Sequence, residues 1–270
     1  MNIILIFNII FLLCTACNPV VQNPPVEADT LTSSIPADFM YQYSIIDALL
    51  AGVYDGNMTF GELKQKGDFG VGSFNRLDGE LIMNEGKVYK MRFDGSIQPV
   101  ADADSTGIAF VKFFKADTSF LFTNNNMTYA QLQEQLNNLL PPNKMYALRI
   151  KGTFKTLHGR APAPASKPYP PLQQYLTGGG QKEFHFTNTT GTCVGFLMPD
   201  YMARVNVPGY HLHYISDDHK NGGHIFEFTS DRLAIEVDFI KGYVVEPNTD
   251  ADFAKVDLSK NRQKELEEIE

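Results

Sequence analysis

One stretch of the sequence predicts a β-hairpin and with it much of the fold: Pro208-Gly-Tyr-His-Leu-His-Tyr-Ile-Ser-Asp-Asp-His-Lys-Asn-Gly-Gly-His-Ile-Phe-Glu-Phe228. Two runs rich in aromatic and β-branched residues flank a polar turn signal from Ser216 to Gly223. Residues two apart on a strand point to the same face, so His211 and His213 are expected to project together. The stretch holds four of the six histidines of the chain, which makes it the first place to look for a functional site.

The spacing of the hairpin predicts a metal site. If the hairpin closes symmetrically, His213 and His224 face each other, and cross-strand Cβ atoms lie about 5 Å apart. Zinc to imidazole bonds are about 2.0–2.1 Å long, so His211, His213 and His224 can converge on one cation. Three protein ligands leave an open coordination position, which is typical of catalytic rather than structural zinc.

The other histidines do not strengthen this prediction. A lone His-x-His pair is a common chance pattern, and the third histidine at hairpin spacing is what favours a metal. His219 lies in the predicted turn and is interpreted as solvated. His158 and His185 stand alone in the sequence and are interpreted as structural or exposed.

The composition agrees with a folded enzyme and excludes several other classes of protein. With 270 residues and 43% hydrophobic content, the chain can build one large core or two moderate ones. A net charge of −8 without a basic run argues against nucleic acid and anionic membrane surfaces as partners.

The N-terminus predicts export. Met1 to Ala16 is almost wholly apolar, carries no charge and is short for a membrane span. Cys14-Thr-Ala-Cys17 resembles a bacterial lipoprotein processing box with Cys17 as the lipidated residue, although Cys14 replaces the usual Leu and a leading Lys or Arg is missing. Plain secretion therefore stays open. We expect an extracytoplasmic protein, secreted or lipid-anchored at the bacterial envelope, without an intrachain disulfide because only Cys193 follows Cys17.

Beyond the N-terminus, short strand patterns alternate with a few helices, which predicts a mixed, β-rich α/β fold. Ser44 is predicted to cap one helix, Thr59 opens a second through a capping-box pattern, and Thr128 caps a third that ends at Pro141-Pro142. That double proline is the best domain boundary. Four segments are expected: a signal peptide at 1–17, a polar Pro-rich tether at 18–36, an N-terminal α/β domain at 37–143 and a metal-binding α/β domain with a tail at 144–270.

Three separated motifs resemble acetolactate decarboxylase: Gly67 to Glu80, Arg160 to Leu172 with its Lys167-Pro-Tyr-Pro-Pro run, and the histidine hairpin. The resemblance covers about Tyr41 to Glu270. Members of this family remove CO2 from 2-acetolactate to give acetoin. The resemblance implies two associated α/β domains, each built on a mixed sheet, a homodimer, and a zinc ion on the three hairpin histidines.

The resemblance also implies catalytic roles for Glu80, Arg160 and Glu270. Zinc would stabilise the enediolate left by CO2 loss, Arg160 would hold the departing carboxylate, and Glu80 or Glu270 would return a proton to one face. The residues themselves also allow a simpler alternative, in which Glu80 is an exposed residue after a turn and Arg160 is a solvated loop cation. The run Ala161-Pro-Ala-Pro164 departs from the usual family pattern beside Arg160.

Composition alone classifies the segment from Leu258 to Glu270 as a frayed tail. A role for Glu270 instead requires this segment to dock, with Leu266 and Ile269 as its apolar contacts.

Two other functions are compatible with the same histidines. A cupin-like oxygenase uses a similar set, but its usual carboxylate ligand has no clear match within the hairpin. A non-catalytic envelope lipoprotein that scavenges zinc would bind metal and release no CO2.

Overall fold

Two large β-sheets carry the fold of residues 35–270, which is the part of the chain that the computed structural model describes. The strands, in chain order, are β1 (Phe39–Tyr43), β2 (Met58–Thr59), β3 (Phe69–Ser73), β4 (Glu80–Asn84), β5 (Lys87–Met91), β6 (Ile97–Pro99), β7 (Ser105–Thr106), β8 (Ile108–Lys112), β9 (Thr118–Phe122), β10 (Met127–Thr128), β11 (Met145–Pro162), β12 (Gln181–Met198), β13 (Gly209–Ser216), β14 (Gly222–Ile240) and β15 (Gly242–Glu246). The α-helices are α1 (Ile46–Leu50), α2 (Phe60–Leu63), α3 (Tyr129–Leu139), α4 (Leu172–Tyr175) and α5 (Gln263–Glu267). The predicted β-rich α/β class is confirmed.

The first sheet has seven strands in the order β15-β1-β8-β3-β4-β5-β6. It is mixed, because β1 and β15 run parallel while the other neighbours are antiparallel. Close approach of β3 to β8 requires glycine at Gly70, where an added Cβ would lie 2.0 Å from the carbonyl oxygen of Phe110.

The second sheet closes on itself. Its strands run in the order β10-β14-β11-β12-β13, β9 also pairs with β14, and β13 pairs with the beginning of β14. All of these pairings are antiparallel. The strands β11, β12 and β14 are 18, 18 and 19 residues long, so one ladder connects residues that lie far apart in sequence.

The hydrophobic core between the sheets draws on both of them. Phe69 and Phe110 of the first sheet and Val194 and Phe196 of the second belong to the same buried cluster. Leu266 of the C-terminal segment belongs to it as well. The site described below therefore lies where both sheets and the end of the chain meet.

The predicted helix signals are only partly correct. Thr59 and Thr128 both form complete capping boxes, in which the side chain at the third helical position bonds back to the capping residue, so these predictions are confirmed. The prediction for Ser44 is wrong. Its φ is 66°, and α1 follows Ile45 without a side-chain cap.

The chain passes from the first sheet to the second before the predicted domain boundary at 143/144. Strand β8 of the first sheet ends at Lys112, and strand β9 of the second sheet begins at Thr118. β15 then returns to the first sheet. Residues 35–270 form one compact unit, and the division into two domains stays a prediction.

Two further predictions concern residues outside this part of the chain. The signal segment 1–17, with Cys17, and nearly all of the tether 18–36 lie outside the described residues. Within 35–270, no helix is long and apolar enough to cross a membrane.

Candidate metal centre and its cavity

The histidine hairpin forms as its sequence predicts. His213 of β13 pairs directly with His224 of β14, and His211 projects beside them. The ring centroids lie 5.1 Å apart for His211 and His213, 5.2 Å for His211 and His224, and 5.3 Å for His213 and His224. One nitrogen from each ring lies within 4.8 Å of the other two. The predicted convergence of three imidazoles is confirmed.

Burial keeps this triad neutral. All three side chains are less than one-tenth exposed. Desolvation lowers the pKa of His213 to about 4 and lowers the pKa values of His211 and His224 well below the usual range, and the charge of Arg160 acts in the same direction. Neutral imidazole is the form that binds a metal.

A backbone contact orients one of the three rings. His213 donates from Nδ1 to the carbonyl oxygen of Leu81, at 2.8 Å, which leaves Nε2 as its lone-pair nitrogen. Three buried, neutral imidazoles, one of them oriented from outside, fit a borderline-soft cation such as zinc.

The three other predicted residues meet at the triad. Glu80 begins β4, and its Oε2 lies 3.6 Å from Nε2 of His213. Arg160 of β11 lies directly opposite His224 in the sheet. Glu270 places Oε2 3.4 Å from Nε2 of His224 and Oε1 3.8 Å from Nη2 of Arg160. All six side chains line one cavity, although their catalytic roles stay predictions.

Glu80 and Arg160 are buried, 8% and 4% exposed, which rules out the alternative in which both side chains are solvated. Burial raises the pKa of Glu80 to about 8, helped by the charge of Glu270 and opposed by Arg160. Desolvation in the cavity raises the pKa of Glu270, whose side chain is 20% exposed, to about 7, again opposed by Arg160. Such shifted carboxyl groups in a cavity are typical of functional sites.

Arg160 is held in place from two sides by residues that sequence reasoning missed. Its Nη1 donates to Oε1 of Gln181, at 3.0 Å, and its guanidinium lies 5.2 Å from the ring centre of Phe226. Its Nε is buried and has no hydrogen-bond partner among the described residues. A buried unpaired donor is rare in folded proteins and indicates a place for an acceptor from outside the chain. No local signal marks Gln181, which reaches Arg160 through the β11–β12 pairing.

The C-terminal segment docks, so its classification as a frayed tail is wrong. Leu266 and Ile269 are buried, at 4% and 5% exposure, in the core between the sheets. Glu265 pairs with a neighbouring arginine and Glu268 is exposed, whereas Glu270 lines the cavity.

Apart from Ser73, the remaining side chains of the cavity wall are apolar. Strand β8 of the first sheet and the helical segments supply seven of them: Ile46, Leu49, Leu77, Ile108, Phe110, Leu172 and Leu176. The cavity measures about 50 Å³, room for a few water molecules. The arginine, carboxyl and imidazole groups of the cavity contact one another, which favours a small, polar ligand.

A β-rich α/β fold that encloses a triad of neutral histidines, two carboxyl groups and an arginine defines a small-molecule enzyme with a potential metal centre. The particular family follows from comparison with known proteins. The sequence model of alpha-acetolactate decarboxylase matches residues 40–260, and the chain belongs to that family. The resemblance seen in the sequence motifs is confirmed.

Relatives match over most of their length. The chain is 37% identical to the alpha-acetolactate decarboxylase of Methanosarcina mazei, over 88% of this chain and 82% of that protein. It is 37% identical to that of Bacillus subtilis, over 83% and 87%. The crystal structure of the enzyme from Bacillus subtilis strain 168 superposes with a TM-score of 0.81 at 36% identity, covering 84% of this chain and 97% of that one.

Proposed function

We propose that this protein converts 2-acetolactate into acetoin and CO2. The observation that carries the proposal is the convergence of His211, His213 and His224 with two carboxyl groups and an arginine in one small cavity, in a member of this family. The family assignment does not support the cupin-like oxygenase or the zinc-scavenging lipoprotein.

We propose zinc as the metal, held by His211, His213 and His224. Bound there, it would supply Lewis-acid stabilisation to the ketone and hydroxyl oxygens of the substrate, worth several kcal/mol. The support for zinc is the donor set of neutral imidazoles at mutual distances within 4.8 Å.

Arg160 is proposed to bind the substrate carboxylate. Its unpaired buried Nε points to a missing acceptor, and a guanidinium fork matches a carboxylate in geometry. Gln181 and Phe226 hold the guanidinium, so it is oriented before substrate arrives.

Glu80 and Glu270 are proposed to handle the proton. When the bond to the carboxylate carbon breaks, its electron pair stays on the substrate carbon, which then takes up one proton for each CO2 released. The two carboxyl groups lie 3.6 and 3.4 Å from the nitrogens of His213 and His224, so both reach the same small volume. If the proton always reaches the substrate carbon from the same side, the product is a single enantiomer of acetoin.

The deciding experiment measures acetoin and CO2 from racemic 2-acetolactate under nitrogen, with and without a chelator. We expect equal amounts of both products without oxygen, loss of activity with the chelator and recovery on adding zinc. Zinc-loaded protein that forms no acetoin would contradict the proposal. A requirement for oxygen would favour the oxygenase, and metal binding without CO2 release would favour the scavenger.

Replacing Arg160 with lysine should impair substrate binding, because an ammonium group cannot reproduce the two-pronged contact. We expect kcat/KM to fall at least about tenfold, equivalent to roughly 1.4 kcal/mol. The matched control is Arg149→Lys, on the same strand but paired with Glu236 outside the cavity. Equal kcat/KM values in both variants would contradict a contact between Arg160 and substrate.

We also propose that Cys17 is lipidated at the bacterial envelope and that the folded part forms a homodimer. The support for lipidation is the apolar leader ending in Cys14-Thr-Ala-Cys17, and the dimer follows from the family resemblance. Cys17→Ser should release the protein from the membrane fraction or leave its precursor unprocessed. A mature chain whose intact mass shows another first residue and no lipid would favour plain secretion.

A further inference from the structure

A second group of potential metal ligands lies on the long ladder outside the cavity. His158 of β11 and His185 of β12 are directly paired, and their rings stack with centroids 4.2 Å apart and an interplanar angle of 14°. Glu183 lies two residues before His185 and therefore on the same face of the strand. Its Oε2 lies 2.9 Å from Nε2 of His158.

Carboxylates flank His158 on both sides. Glu227 of β14 is its partner on the other neighbouring strand, and its Oε1 lies 3.9 Å from Nδ1 of His158. The side chain of His158 is 20% exposed, that of Glu183 48% and that of Glu227 76%. The group therefore combines two imidazoles and two acidic side chains at a surface that ions in solution reach.

Two cations beside this group in the ladder, Arg160 and Lys182, form no ion pair with it among residues 35–270. Arg160 lies opposite Glu183 in the ladder, yet within residues 35–270 it forms an ion pair with Glu270 and none with Glu183. Lys182 lies over the ring of Phe184 instead. A bound cation would relieve the repulsion between the two carboxylates.

We propose that His158, Glu183 and His185 form a second, solvent-facing site for a divalent transition-metal ion such as zinc, with Glu227 as an adjacent acidic partner. One ligand atom from each of the three residues lies within 4.8 Å of the others. Tetrahedral ligands at zinc bond lengths lie about 3.3 Å apart. Because an ion lies in the plane of each imidazole that binds it, the two stacked rings must rotate out of their parallel arrangement before both can bind one ion. Imidazole ligands favour zinc, copper or nickel over magnesium or calcium.

This site shares no ligand with the buried triad. Phe226 lies between them, with its ring centre 5.1 Å from that of His158 and 5.7 Å from that of His224. The inference does not depend on the proposed reaction, since it concerns binding alone. With this second site, the protein would have one ion site in the buried cavity and one that faces the solvent.

The test is a calorimetric titration of the metal-free mature protein with zinc. We expect two ions per chain, one bound tightly and one more weakly. In His158→Ala and His185→Ala the tight ion should remain, and the affinity of the weaker one should fall at least about tenfold, because even loss of a group that only orients a ligand has that effect. His219→Ala, which removes an exposed histidine from a turn, is the matched control and should retain both ions.

Two outcomes would overturn the site. One is a single zinc ion per wild-type chain that binds with the same affinity in the double variant of His158 and His185, since a single ion lost with these two histidines would instead count against the buried triad. The other is a second ion whose affinity is the same in the wild type and in the double variant of His158 and His185. Glu183→Gln removes the charge and keeps the shape, and it should weaken the second ion as well. Circular dichroism of each variant checks that its fold is retained.

Discussion

Replacing His211, His213 or His224 with alanine is expected to remove the tightly bound metal ion and nearly all activity. Each residue supplies one of the three converging nitrogens. Among the described residues, no other histidine lines the cavity and could replace the lost ligand. Loss of Lewis-acid stabilisation of about 4 kcal/mol corresponds to roughly a thousandfold fall in turnover. The measurements are zinc content by mass spectrometry and the initial rate of acetoin formation.

The controls for this prediction use the other histidines. His219→Ala should keep both zinc and activity, because that side chain lies in an exposed turn. The zinc content of the triad variants is best measured with His158→Ala also present, so that the surface group does not contribute an ion. Stoichiometric zinc in any triad variant on that background would refute the buried site.

Replacing Glu270 with glutamine is expected to cut turnover at least about tenfold, equivalent to roughly 1.4 kcal/mol of transition-state stabilisation. Glutamine keeps the size of the side chain but carries no transferable carboxyl proton. It also cannot form the ion pair of the wild type, in which Nη2 of Arg160 lies 3.8 Å from Oε1 of Glu270. Glu268→Gln is the matched control, since that exposed side chain lies outside the cavity. Both rate and acetoin enantiomeric purity are measured.

Deleting residues 265–270 should have a larger and broader effect than Glu270→Gln. Sequence reasoning alone predicts an unchanged melting temperature for this deletion. The structure indicates a lower one, because the deletion removes the buried Leu266 and Ile269 from the core. Activity and acetoin chirality that survive the deletion unchanged would show that the segment has no part in the site.

Several features of this protein could be predicted from short stretches of sequence. The capping box at Thr59, the helix cap at Thr128 and the pairing of His213 with His224 formed as expected. Their causes lie within a few residues, in side-chain to backbone hydrogen bonds and in the alternation of faces along a strand. Ser44 shows the limit of such reasoning. Its sequence suggests a helix cap, but its backbone adopts a positive φ and the helix begins after Ile45 instead.

The surroundings of the site could not be predicted in this way. Sequence patterns place Glu80 after a turn and Arg160 in a loop, whereas packing of the two sheets buries both beside the histidines. Burial then raises the pKa of Glu80 to about 8, which is a property of the assembled cavity rather than of its segment. Only the family resemblance pointed to these residues beforehand.

The sequence by itself determined the class of the fold, the family and the histidine hairpin, because each is encoded in local alternation, spacing or motif. Tertiary structure decided that β15 returns to the first sheet, that Glu270 enters the cavity and that His158 faces His185. These contacts join residues far apart in the chain. Their register depends on how long strands pair and how the core packs around them, and no short stretch of sequence contains that information.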